Sequence, residues 1–139
     1  MKHFTLEELV DKATFETEGE AAWLHFDTSA LIMLDDLREY FDAPITVNNW
    51  HQGGQFQFRG FRSPTYQPGI TPGSAHRIGK AFDFDVHGLT AIMSRGMIIS
   101  HQNDTRLSKI MRLEDHVNWV HADIMSIPEE RERIYLFRA

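Results

Sequence analysis

Ser74-Ala75-His76-Arg77-Ile78-Gly79-Lys80-Ala81-Phe82-Asp83-Phe84-Asp85 runs from polar residues into an alternating pattern that continues to Val86. Residues 81–86 read as a β-strand, because successive strand side chains point to opposite faces. Phe82, Phe84 and Val86 then share one face, and Ala81, Asp83 and Asp85 share the other. The aromatic face belongs in a core. The opposite face offers two carboxylates beside a very small residue, which leaves room for something to sit on the sheet.

A second strand is expected over Trp119 to Ile124, and it repeats this arrangement. Val120, Ala122 and Ile124 lie on one face, and Trp119, His121 and Asp123 on the other. If the two strands are neighbours, His76, Asp83 and His121 converge. Two imidazoles and a carboxylate are a normal protein set for a catalytic zinc ion, with the fourth position open for water. Asp85 and Asp123 are then candidates to orient a ligand through a hydrogen bond. Taken singly, the motifs are less specific. Asp-x-Asp also occurs in magnesium and calcium sites, and His-x-Asp is often a local hydrogen-bonded pair.

Outward from these strands, Thr5-Leu6-Glu7-Glu8 carries the Thr-x-x-Glu capping-box pattern and opens a short helix through about Asp11. Asp27, Thr28 or Ser29 caps a second helix. Leu31, Leu34, Leu37 and Tyr40/Phe41 recur at three- and four-residue spacing along it, so one face is buried. Pro44 ends it, and Ile45-Thr46-Val47 reads as a short strand. His51-Gln-Gly-Gly and Pro68 to Ser74 are loops by their Pro and Gly content. Leu89 to His101 reads as a helix containing Gly96. Leu107 to Leu113 and Arg133 to Arg138 are further strands. Helices followed by runs of strands predict one α+β domain over residues 1–139, with helices packed on a small antiparallel sheet.

The chain has 139 residues, enough for one domain with a real core. Fourteen basic against twenty acidic residues give a net charge of −6, which argues against nucleic acid as a partner. There is no cysteine, so disulfides, Cys-ligated zinc, iron–sulfur clusters and thiol nucleophiles are excluded. Any metal must be held by the eight His and the carboxylates. The longest apolar run, Ala30 to Leu34, falls far short of the ~20 residues of a membrane span, so no membrane insertion is expected. Glu7 and Glu8 interrupt any signal-peptide apolar region, and synthesis in the cytoplasm is expected.

Ser74-x-His76, Gly79-x-Ala81-x-Asp83 and the later His121-x-Asp123 together resemble the zinc D-Ala-D-Ala carboxypeptidases and their relatives. These relatives include phage endolysins that cut L-alanyl-D-glutamate bonds, and the zinc-containing signalling domain of hedgehog proteins. Gly60-Phe61-Arg62-Ser63-Pro64 is similar to the family's Gly-Tyr-Arg-Ser-Pro segment. The segments occur in the family's order over residues ~60–124. The resemblance implies a hedgehog-like peptidase fold, a zinc ion on His76, Asp83 and His121, and Arg62 facing the substrate. Arg59, Arg77 and Lys80 add basic charge around the same segments, with Arg59 and Lys80 read as solvated. Many relatives carry a Glu three residues before the last His, where this chain has Asn118, which cannot accept a proton. His116 is the first candidate for the catalytic base and Glu114 the second.

The expected function is a zinc metallopeptidase that hydrolyses peptide bonds in peptidoglycan stem peptides, of carboxypeptidase or endolysin type. A small form without a signal suits a phage-derived protein that degrades the cell wall after lysis-type release or as part of a virion. One alternative is a non-catalytic zinc-binding structural or interaction module, such as a virion protein with a degenerate peptidase fold. Another is a magnesium-dependent phosphoryl enzyme using Asp83, Asp85 and Asp123.

Overall fold

A computed structural model describes residues 1–66, 73–128 and 133–138. The Pro68-to-Pro72 part of the second expected loop lies outside the described residues. Three α-helices are present among them, α1 (Lys12–Glu18), α2 (Thr28–Phe41) and α3 (Ala91–Ser100). Five strands are present as well, β1 (Ile45–Thr46), β2 (Ala81–Val86), β3 (Arg112–Glu114), β4 (Val120–Asp123) and β5 (Tyr135–Phe137). The fold is α+β, with the strands in the order β1-β2-β4-β3-β5.

Local chemistry sets the helix starts. The Asp27 carboxylate accepts the Ser29 backbone N–H at 2.8 Å and opens α2. The helix stops at Phe41, where Asp42 turns into the left-handed region at φ 48°, two residues before Pro44. Leu34 and Leu37 are buried as the spacing predicts. Ala30 and Met33 join them, while Leu31, Tyr40 and Phe41 are only partly covered. The capping box at Thr5 forms, but around a single 3-10 turn, Leu6–Glu8, and not a helix through Asp11. Asp11 instead caps α1, accepting the Thr14 N–H at 2.9 Å and the Thr14 hydroxyl at 2.6 Å. The sequence reading contained no helix at α1.

Strand β2 spans the expected residues. Phe82 and Phe84 are wholly buried, and Phe26 stacks on Phe82 with ring centroids 5.7 Å apart. β2 pairs antiparallel with β4 in a register that sets Phe82 against Ala122 and Phe84 against Val120. These residues and Leu113 form the sheet's core face, packed with residues of α2 and α3. The same register sets Asp83 against His121 and Ala81 against Asp123 on the other face.

Two expectations are corrected. The sheet is mixed, since β5 runs parallel to β3. β5 lies beyond β3 at the sheet edge, so it pairs with β3 and not with β4, the strand before it in sequence. Leu107 to Leu113 is not one strand. Asp104 caps a 3-10 turn at Thr105–Leu107, and the Arg133 guanidinium collects the carbonyls of Gln102, Leu107, Ser108 and Ile110. These carbonyls point to the Arg133 side chain and not to a neighbouring strand, and β3 begins only at Arg112. No described helix is long and apolar enough to cross a membrane.

Candidate metal centre

His76 lies in a 3-10 turn, Ala75–Ile78, that leads through Gly79 into β2. Gly79 sits at φ 68°, and a side chain there would collide with the backbone of His25 and Phe26. Gly60 approaches the Leu9 carbonyl so closely that no Cβ fits. That approach places the Gly60 carbonyl against His76, which donates from Nδ1 over 2.9 Å. The bond fixes the tautomer and leaves Nε2 facing the sheet.

His121 is oriented in the same way from the opposite side. Asp123 accepts from Nε2 at 2.7 Å, which turns Nδ1 toward β2. The three inward atoms are His76 Nε2, Asp83 Oδ1 and His121 Nδ1. They are separated by 3.2 Å between His76 and Asp83, 2.8 Å between His121 and Asp83, and 3.3 Å between the two rings. A tetrahedral cation bonded at ~2.0–2.1 Å spaces its ligand atoms by about 3.3 Å, so the donor set fits such an ion with small adjustments. All three residues are buried, and they are a group among the described residues that can hold a metal ion.

The electrostatics agree. Burial favours the neutral form of Asp83, but its contacts with the His76 and His121 rings hold its carboxyl well below the usual carboxylate range. Burial opposes charge on His121, yet its hydrogen bonds to Asp123 and Asp83 raise its pKa to about 9. Without a cation, then, the ring serves both carboxylates as an imidazolium. A metal ion bound at the triad would take the place of that proton.

A cleft of about 450 Å³ opens at the triad, with Arg62, Arg112, Glu114, Trp119 and Phe137 in its walls. Arg62 is more constrained than a residue that simply faces the substrate. It donates from Nη2 to Asp83 Oδ2 at 3.1 Å and from Nε to the Phe58 carbonyl at 2.9 Å, so it holds the outer oxygen of a ligand carboxylate. Glu114 is buried in this cleft. His116 is not among the residues lining it. It sits at φ 63° with its side chain 58% exposed, and it contacts Asp115 and Arg138. Asn118 is exposed and lines a different groove, beside Asp85 and His116.

The two aspartates proposed to orient ligands part company. Asp123 does so. Asp85 is 50% exposed and pairs with Arg59 at 2.9 Å. Arg59, expected to be solvated, is itself largely covered by that pairing and by the Phe56 ring. Asp83, Asp85 and Asp123 therefore do not converge, and the three-carboxylate arrangement for magnesium is not formed. Sequence reasoning missed Arg112, which was hidden inside the misread strand. Its alternation with Glu114 across the apolar Leu113 is the available signal. Comparison with protein-family models, curated proteins and solved structures finds no match.

Proposed function

We propose that the chain is a zinc-dependent peptidase acting on peptidoglycan stem peptides. The observation that carries this reading is the convergence of His76 Nε2, Asp83 Oδ1 and His121 Nδ1 within 3.3 Å of one another, in a cleft that also holds Glu114 and Arg62. Two nitrogens and one carboxylate oxygen suit zinc better than magnesium, which prefers all-oxygen sites. The motif order that resembles the D-Ala-D-Ala carboxypeptidases supports the peptidoglycan substrate and a hedgehog-like peptidase fold.

A bound zinc ion supplies a Lewis acid that polarises the scissile carbonyl and acidifies water. His76, Asp83 and His121 would hold it. The Gly60 carbonyl and Asp123 keep both rings aimed. Arg62 anchors Asp83 and places positive charge where the carbonyl oxygen gains negative charge. Glu114 replaces His116 as the favoured base, because it alone of the two lines the cleft. It accepts the proton of the attacking water and returns it to the leaving amine.

The test is digestion of purified peptidoglycan by native and chelator-treated protein, with products identified by mass. New amino and carboxyl termini that appear only with metal support the reading. A metal-loaded protein that releases no fragment is instead a zinc-binding interaction module.

A further inference from the structure

Arg95 is a charged side chain where apolar residues belong. It sits on the inward face of α3 with Ser94 and Ile98, and only 7% of it is exposed. A buried guanidinium is costly unless it is paired, and an apolar side chain of similar volume is often as stable in its place. Its partners show what it holds. Nη1 donates to the Trp119 carbonyl at 2.8 Å, and Nε lies 3.9 Å from Asp115 Oδ1. Asp115 and Trp119 are the two ends of the connection between β3 and β4, residues 115–119.

That connection joins the candidate base to a metal ligand of the triad. Glu114 is the last residue of β3, and His121 is the second residue of β4. The register between the two strands pairs Arg112 with Asp123 and Leu113 with Ala122, and stops one step before Glu114 and His121. His121 is fixed regardless, by its pairing with Asp83 on β2 and by Asp123. Glu114 has less support. Its strand partner is Phe137 on the edge strand β5, and no hydrogen bond from another described residue reaches its carboxylate. The connection itself contains His116 at φ 63°, a left-handed conformation that a residue with a side chain keeps only when its surroundings hold it there.

We propose that Arg95 is a positioning residue, which holds both ends of the 115–119 connection and so sets the place of Glu114 relative to the metal ligands. This deepens the peptidase reading and rests on it. Arg95 is not among the residues lining the cleft at the triad, so it acts through the backbone that it clamps. With the clamp in place, the Glu114 carboxylate is presented in one position. With the clamp loosened, it spends less time where proton transfer can occur, and misplacement of a reacting group by about 1 Å can cost on the order of 100-fold in rate.

The test uses zinc-loaded Arg95→Met, which keeps the length of the chain without its charge, and Arg95→Lys, which keeps one donor but cannot span both ends. Two readouts are combined. The first is solvent exchange of the indole N–H groups, followed by NMR. The Trp119 indole N–H is buried without a partner, whereas that of Trp50 donates to the Val10 carbonyl at 2.8 Å and reports general loosening. Arg95→Met should speed Trp119 exchange roughly tenfold or more and leave Trp50 unchanged. The second readout is cleavage of soluble peptidoglycan fragments. There kcat should fall roughly 10–100-fold, with KM within a few-fold of wild type and zinc content unchanged. Arg95→Lys should lie between Arg95→Met and wild type in both. A folded Arg95→Met with wild-type Trp119 exchange overturns the clamp, and one with wild-type kcat overturns the positioning of Glu114. Loss of zinc from the variant also overturns it, because Arg95 would then support the ligands and not the base. Should Arg95→Met fail to fold, wild-type values for Arg95→Lys in both readouts overturn the proposal. A wild-type protein that cleaves nothing overturns the peptidase reading and the catalytic role with it, and Trp119 exchange then judges the clamp alone.

Discussion

Asp123 accepts the Nε2–H of His121 at 2.7 Å, and that one contact aims the other ring nitrogen at Asp83 and His76. Asp123 is fully buried and held in turn by Arg112. It is therefore a fixed backstop for a metal ligand. Asp123→Asn should lower zinc affinity by roughly 10–100-fold, the usual effect of losing such an orienting partner. Competition against a chromophoric chelator measures it. Unchanged affinity would show that the ring is oriented by its packing alone.

The protonation of His121 gives zinc-free and zinc-loaded protein opposite pH trends. In the zinc-free protein burial is outweighed by its hydrogen bonds to Asp123 and Asp83, which raise its pKa to about 9 from the ordinary imidazole value of 6.5. A raised folded pKa contributes stability that is fully present below 6.5 and is lost as pH rises through about 9. Zinc must displace this proton, so its affinity rises across the same window. Thermal melts from pH 6.5 to 9 should show this contribution to zinc-free stability falling while the increment from added zinc grows. Proton release on zinc addition, read in weakly buffered solution, checks the same linkage.

Phe84 lies on the face of β2 opposite Asp83 and is wholly buried. Phe84→Ala should cost roughly 3–5 kcal/mol, because it leaves a cavity in a close-packed core. Denaturant unfolding of the zinc-free protein reads this without interference from metal binding. A cost below about 1 kcal/mol contradicts the core assignment, since buried aromatic truncations fall well above that value.

The base assignment separates two neighbours. Glu114→Gln should lower turnover by roughly 10²–10⁴-fold, the ordinary worth of a positioned acid–base group, with zinc content unchanged. His116→Ala should leave turnover within a few-fold of wild type, because His116 faces Asp115 and Arg138 outside the cleft. The reverse ranking returns the role to His116.

The sequence made the centre of this molecule legible because period-two alternation is a local signal. Phe82 and Phe84 against Asp83, and Val120 and Ala122 against His121, give the strand faces directly. Pairing β2 with β4 then brings the triad together. Asp27 and Thr5 were legible as caps for the same reason, though Thr5 starts only one 3-10 turn. The misses depended on distant partners. Leu107 to Leu113 has strand-like composition, but Arg133, more than twenty residues later, takes its carbonyls. The pairing of β5 with β3, and not with the β4 that precedes it, is a long-range choice that no local pattern reports. Asp85 alternates in phase with Asp83, yet lies where β2 meets β1, and Arg59 draws its carboxylate aside. His116 and Glu114 could not be ranked from spacing. A left-handed turn at His116, which aims its ring elsewhere, decides between them.

Elemental analysis of purified protein and of His76→Ala, each saturated with zinc and then dialysed, tests the metal centre most directly. The predicted result is about one zinc per chain in wild type and none retained stoichiometrically in His76→Ala, with the fold kept, because the core face of the sheet, Phe82, Phe84, Val120 and Ala122, packs in the hydrophobic core and not on the triad. A wild-type chain that retains no zinc, or a His76→Ala variant that retains a full equivalent, contradicts the assignment of His76, Asp83 and His121 as the ligands.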